Sequence, residues 1–195
     1  VSTIEEAAEA LLAGHLVVIP TDTVYGIAAR LDRPEAISAI FAAKDRPPDK
    51  PIPVLGSSSE QLGSVARFDD RARTLAGRFW PGPLTMILPR AEGFEVDLGG
   101  NESRTVGVRV PKEPRCLDLL RTTGPLAVTS ANLSGGKDAT TIAEARDALG
   151  DTVDVYVDGG RCVGVPSTIV FLAGERRLLR EGTIPASLVF QMLKE

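Results

Sequence analysis

Apolar residues recur at helical spacing in the first segment, where Ile4, Ala7, Ala8, Leu11 and Leu12 form one stripe and predict an amphipathic helix. Ser2 and Glu5 stand at capping-box spacing ahead of it, and Gly14 supplies its stop. The run Leu16-Val17-Val18-Ile19, closed by Pro20, predicts a buried strand. A second helix is predicted over 34–43 with Ile37, Ile40 and Phe41 inward, and the four prolines of 46–53 impose an extended loop. Residues 69–79 read as a helix stopped by Trp80-Pro81-Gly82-Pro83. Short β-type runs follow at 84–88, 105–110, 126–129, 153–157, 167–172 and 177–180. Helical patterns intervene at 117–121, 142–149 and 186–193, the second opened by a capping box of Thr141 and Glu144. Residues 91–103 carry the weakest pattern and are expected to form a mobile loop.

Strands and helices alternate along the whole chain, which predicts an α/β fold: a twisted, mixed parallel and antiparallel sheet flanked by helices. With no internal repeat and no dividing linker, residues 1–195 are expected to form a single domain. The apolar fraction of 43% and charged fraction of 25% are those of a folded protein. Aromatic residues at 5% argue against a base-stacking platform for single-stranded RNA. A net charge of −4 argues against gross nonspecific nucleic-acid binding, while leaving room for a local basic cleft. Cys116 and Cys162 are isolated from each other and from the single histidine, so the expectation is two reduced thiols and no zinc site. No apolar run reaches membrane-spanning length and the acidic N-terminal segment is unlike a signal peptide, which makes the cytoplasm the expected compartment.

Candidate chemistry gathers in polar segments that follow strands. Pro20-Thr21-Asp22-Thr23-Val24-Tyr25-Gly26 offers two hydroxyls, a carboxylate and a phenol, suited either to a small polar ligand or to a self-capped turn. Lys44, Arg46 and Lys50 put three cations on or beside a proline-stiffened loop; they suit a polyphosphate, or simply a helix C-terminus. Thr105, Gly107 and Arg109 share one strand face, and Arg109 can hold a carboxylate bidentately or stand as an edge-strand charge. Thr129 to Gly136 combines small hydroxylated residues with glycines, as an anion nest or a polar turn, and it lacks the P-loop signature. The segment Gly164-Val165-Pro166-Ser167-Thr168 and Arg180 complete the set. His15 is expected at the surface or at a cap, which leaves histidine-based triads and metal clusters unsupported.

In this order, these segments resemble the YrdC family of threonylcarbamoyl-AMP synthases over nearly the full chain. The resemblance rests on Pro20 to Gly26, Lys44-x-Arg46 with Lys50-Pro51, Trp80-Pro81-Gly82-Pro83-Leu84-Thr85, Val108-Arg109, Ser130-x-Asn132-x-Ser134-Gly135, Ser167-Thr168 and Arg180-x-Gly182. It implies a YrdC-like sheet around a concave, positive cavity, in the family's short, single-domain form. The activity implied is that of an L-threonylcarbamoyladenylate synthase, a nucleotidyltransferase. Such an enzyme joins L-threonine, bicarbonate and ATP, releases pyrophosphate, and supplies a tRNA threonylcarbamoyl transferase complex that modifies ANN-decoding tRNAs. By position, the resemblance gives Thr23, Arg109, Ser167 and the backbone of Val128 to threonine. It gives Arg46, Lys50, Thr105, Ser130, Asn132, Asp138 and Arg180 to ATP, with Asp138 standing where some relatives have a serine. Lys44 and Arg46 are the expected catalytic cations, Lys44 facing developing phosphate charge. Mg²⁺ is expected as cofactor, carried mainly by the triphosphate, with tRNA contact an open question and no membrane partner. Three departures stand out: Leu55 where some relatives have a histidine touching threonine, Pro166 for an acidic residue, and Glu181 for a proline. Two other readings remain open, a double-stranded RNA or tRNA-binding module without catalysis and a carbamoyl-adenylate-forming enzyme.

Overall fold

The computed structural model describes residues 2–101 and 104–193. Helix α1 (Ile4–Ala13) buries Ala7, Ala8 and Leu11. Its capping box is Thr3 with Glu6, one residue beyond the expected Ser2 and Glu5. Both pairs have the required spacing, and the start at Ile4 aims Ala7, Ala8 and Leu11 inward while Leu12 stays 48% exposed. Strand β1 (Val17–Ile19) and strand β2 (Gly26–Arg30) form an antiparallel pair around the polar turn 20–25. Helix α2 (Pro34–Ala43) has proline in its first turn and buries Ala36, Ile37 and Ile40. After the proline-rich loop come β3 (Val54–Leu55), the one-turn α3 (Ser59–Leu62) and α4 (Asp70–Phe79), capped by Asp69 through a bond from Ala72 N–H.

Four strands and two helices continue the chain: β4 (Leu84–Pro89), β5 (Thr105–Arg109), α5 (Pro114–Thr123), β6 (Leu126–Ser130), α6 (Ile142–Leu149) and β7 (Val155–Tyr156). Strands β8 (Thr168–Phe171) and β9 (Arg177–Arg180) precede the last helix, α7 (Ala186–Gln191). The strands form one mixed sheet in the order β7-β1-β2-β6-β3-β5-β4-β8-β9. Pairs β1/β7, β3/β5 and β4/β8 are parallel, and the other five are antiparallel.

Two apolar layers sandwich this sheet. One gathers residues of α2, α4, α6 and α7, including Ile40, Leu75, Leu149 and Val189. The other gathers α1 and α5 against Val17, Ile19, Ala28, Leu55, Leu126 and Val128. Val128 and Leu55 mark where this second layer gives way to a polar cavity on the same sheet face. In the segment expected to be mobile, Leu98 is 1% exposed and its carbonyl accepts from Ile52 N–H at 2.8 Å, while Glu92, Gly93, Glu95, Asp97 and Asn101 are exposed. Residues Glu102 and Ser103 of that stretch lie outside the described residues.

Helix α6 rests on a capping box at Thr141 and Glu144. The Glu144 carboxylate accepts from Thr140 N–H at 2.7 Å and from the Thr140 hydroxyl at 2.8 Å. Those bonds, helped by Lys137, hold its pKa down at about 2. The bonded carboxylate therefore contributes stability above pH 4.5, its ordinary value, and loses that contribution as pH falls through about 2. Urea unfolding should show Thr141→Ala less stable by about 1 kcal/mol at neutral pH. In the same assay, the stability gap between wild type and Glu144→Gln should shrink steadily from pH 4.5 to pH 2.

Candidate active site

The first wall of the cavity is the turn between β1 and β2. The Thr21 hydroxyl accepts from the N–H groups of Thr23 and Val24, each at 3.2 Å, and donates to Val24 O at 2.6 Å. This self-capped turn is one of the two arrangements open for the segment, and it also fixes Thr23 and Asp22 toward β5. There Arg109 Nη1 donates to the Thr23 hydroxyl at 3.0 Å, and Nη2 donates to Asp22 Oδ1 at 2.6 Å. Nε of Arg109 donates to Gly82 O at 3.0 Å, in the turn that follows α4. Arg109 is 6% exposed and sits on an interior strand, so the edge-strand alternative does not hold. Burial pulls its pKa down and the adjacent Asp22 carboxylate opposes that shift. Three of its five N–H groups are engaged in these bonds, leaving donors for a ligand.

The opposite wall is built from β4, β8 and β9. Thr85 and Ser167 share a hydrogen bond of 2.8 Å. Arg180 donates through Nε to Ser167 O at 3.0 Å and through Nη2 to the Ser167 hydroxyl at 3.2 Å. Arg180 reaches this face through a β-bulge. Pairing runs Phe171 with Arg177 and Val170 with Leu178, then jumps to Ile169 with Arg180, skipping Leu179. The extra residue inverts the alternation, so Arg180 shares the side of Ile169 and lines the cavity.

The third wall joins the end of α2 to the turn after β6. Asp45 takes a left-handed conformation, φ 47°, and reverses the chain between Lys44 and Arg46. Arg46 donates through Nε to Lys50 O and through Nη2 to Pro51 O, both at 2.9 Å, and lines the cavity. Lys44 goes the other way. It is 1% exposed, and its Nζ donates to Ser130 O and Asn132 O, with Asn132 Oδ1 at 3.5 Å. Burial, reinforced by Arg46 and opposed by Asp138, lowers its pKa to about 8, so the ammonium persists at neutral pH. Lys44, expected to face a phosphate, here directs its Nζ to the carbonyls beneath the 130–136 turn. That turn is closed by Asn132 Nδ2 donating to Leu133 O and Gly136 O, and by the Ser130 hydroxyl donating to Asn132 Oδ1 at 2.5 Å.

Between these walls lies a cavity of about 230 Å³. It brings together Thr23, Arg46, Arg109, Val128, Ser130, Asp138, Ser167 and Arg180. Four other candidates lie off its wall. Lys44 and Asn132 are buried in its floor, Lys50 is exposed on the proline-rich loop, and Thr105 lines a neighbouring hollow with Gly107 and Ile52. The Val128 N–H is already given to Pro53 O at 3.0 Å. Thr85 and Tyr25 also line the cavity and Asp22 is the partner of Arg109; the sequence reading offered Asp22 and Tyr25 as candidate ligand groups without a specific role and gave Thr85 none. Tyr25 is fully buried, donates to Gly160 O at 2.7 Å and accepts from Gly159 N–H at 3.0 Å; burial first, then Asp158, lifts its pKa to about 12. It remains a neutral phenol that ties the turn 20–25 to the strand connection ahead of Ser167. His15 is exposed beside Asp154 at 3.3 Å, and both cysteines are free.

A family model described as telomere recombination, the Sua5/YciO/YrdC domain, matches residues 9–182. The chain belongs to that family. It is 42% identical over 193 residues to a Mycobacterium tuberculosis protein that carries threonylcarbamoyl-AMP synthase as a provisional name, covering 97% of this chain and 88% of that one. It is 38% identical to the Bacillus subtilis threonylcarbamoyl-AMP synthase, covering 93% of this chain and 54% of the relative. The fold superposes on Sua5 of Pyrococcus abyssi complexed with L-threonine, with a TM-score of 0.92 and 37% identity over 98% of this chain and 57% of that chain. The chain thus spans little more than half the length of the Bacillus and Pyrococcus proteins.

Within the Sua5/YciO/YrdC frame, the three departures have local accounts. Leu55 is buried and gives the cavity an apolar patch. Glu181 accepts from Ala186 N–H at 2.9 Å and so caps α7. Pro166 leaves its carbonyl against Gly182, where an added Cβ would sit 2.1 Å from Pro166 O and 2.6 Å from Ser167 C. Backbone on both sides leaves no flexible side chain to yield. Gly182→Ala should therefore cost about 1–3 kcal/mol in urea unfolding and displace Ser167 from Thr85 and Arg180.

Proposed function

We propose that the chain is an L-threonylcarbamoyladenylate synthase: a nucleotidyltransferase that makes threonylcarbamoyl-AMP and pyrophosphate from L-threonine, bicarbonate and ATP. The observation that carries this reading is the convergence of Arg46, Arg109, Ser130 and Arg180, from four distant stretches of sequence, on one cavity with Thr23 and Ser167. Its composition suits an amino acid beside a nucleotide. Around Arg109 there are hydroxyls and a buried, partly committed guanidinium; around Arg46 and Arg180 there are cations with donors to spare.

The reaction proceeds in two steps. The threonine amine adds to bicarbonate with loss of water, giving a carbamate. A carbamate oxygen then attacks the α-phosphorus of ATP, and pyrophosphate leaves. Neither step needs a covalent enzyme intermediate; both need positioning and charge neutralisation. Arg109 holds the threonine carboxylate with its remaining N–H groups, and the Thr23 and Ser167 hydroxyls and the Val128 backbone orient the rest. Arg46 and Arg180 offset phosphate charge, while Lys50 and Thr105 attend the outer nucleotide. Ser130 contacts ATP from the turn whose shape Lys44 and Asn132 maintain. Mg²⁺ bound with ATP would further neutralise the triphosphate and the departing pyrophosphate.

The product is an activated mixed anhydride, which passes to a tRNA threonylcarbamoyl transferase complex in the cytoplasm for modification of ANN-decoding tRNAs. No helix among the described residues is long and apolar enough to cross a membrane. The test is pyrophosphate release from ATP with no RNA present, together with mass-spectrometric detection of the adenylate. Release should require both threonine and bicarbonate. Arg46→Ala and Arg180→Ala should each lower it at least ~100-fold, as loss of a transition-state electrostatic contact does. Release that ignores threonine, or near-normal turnover in both variants, would refute the assignment.

A further inference from the structure

Asp138 is the sole carboxylate on the cavity wall among the described residues. It makes no hydrogen bond and no ion-pair contact with any of them, although it stands in the field of Lys44 and Arg180 and favours the charged form of both. The backbone that carries it is anchored, since the carbonyl of Ala139 accepts from Tyr25 N–H at 2.9 Å. Arg46 and Arg180 line the same cavity. A bare carboxylate at the phosphate end of a nucleotide site works against the ligand, because one like-charge contact weakens binding by ~10-fold or more.

A divalent cation resolves that conflict. Mg²⁺ is typically held by one or two carboxylates together with substrate phosphate oxygens, and it keeps several waters. The donor set here, one unengaged carboxylate lining the same cavity as Arg46 and Arg180, has that form. Ribose hydroxyls, the other common ligand of such an aspartate, are neutral and do not account for its place beside two cations. Resting on the adenylate-synthase reading, we propose that Asp138 is the carboxylate through which the protein holds the Mg²⁺ that arrives with ATP. Arg46 and Arg180 then need to neutralise less of the triphosphate, and the metal's position is set by the protein as well as by the nucleotide.

Calorimetric binding of α,β-methylene-ATP to wild type and to Asp138→Asn, with Mg²⁺ and with a chelator, tests this without turnover. Wild type should bind the analogue at least ~10-fold more tightly with Mg²⁺, and in Asp138→Asn that gain should fall below ~3-fold as the metal-free analogue binds more tightly. Asp138→Ser should behave alike, which guards against a folding defect of one variant. Electron paramagnetic resonance of the Mn²⁺–analogue complex should change on binding wild type and change less on binding either variant. An undiminished Mg²⁺ gain in both variants overturns the proposal. So does an equal weakening with and without metal, accompanied by wild-type discrimination against the 2′-deoxy analogue, which would make Asp138 a ribose ligand. Failure of wild type to bind the analogue under either condition would sink the ATP reading itself, a result distinct from the other two.

Discussion

The buried guanidinium of Arg109 is the interaction on which the cavity depends. It joins β5 to the turn 20–25 through Asp22 and Thr23, and to the turn after α4 through Gly82. Taking an arginine out of water is costly, and a buried pair is held only when geometry and further hydrogen bonds compensate; stranding one partner typically costs about 3–5 kcal/mol. Here the Asp22 carboxylate also accepts from Lys112 N–H at 2.9 Å, so the pair locks backbone on both sides of the site. That arrangement gives the cavity a fixed positive centre. It also limits what Arg109 can offer, since only its unspent N–H groups remain for a ligand.

A second buried cation, Lys44, does different work. Its three ammonium protons match the oxygens of Ser130 and Asn132, so the turn after β6 wraps around it. The neighbouring Arg46 is thereby freed to line the cavity, and the left-handed turn at Asp45 separates the two roles. Two residues apart in sequence, one cation shapes the turn after β6 and the other lines the cavity. A Lys-x-Arg pair written in a sequence carries no sign of that division.

Much of the fold was legible because the local signals were strong. Thr141 and Glu144 cap α6 as their spacing predicts, and α2 and α6 span the residues their periodicity marks. Strand β9 likewise occupies 177–180. Strand β2 was not assigned, because Gly-Ile-Ala-Ala-Arg carries little β-propensity; it exists because β1 and β6 pair with it on either side. Strand β3, two residues at the end of a proline-rich loop, exists only through β5 and β6. The capping box of α1 was displaced by one residue because two overlapping pairs meet the same rule, and burial of Ala7, Ala8 and Leu11 chose between them.

For the site, the amino-acid sequence alone determined which residue types follow which strands, and so which segments carry hydroxyls and which carry fixed charge. It also put Thr105, Gly107 and Arg109 on one face, because side-chain alternation along a strand is a local property. Only the tertiary structure decided that Arg180 faces the cavity, through a bulge that no local pattern announces. It alone turned Lys44 inward and Arg46 outward, placed Thr105 and Lys50 off the cavity wall, and gave Arg109 its partner in Asp22. The physical reason is common to all of these: pairing register and the desolvation of a charge are settled by groups far away in the chain, and neither is written at the position it governs.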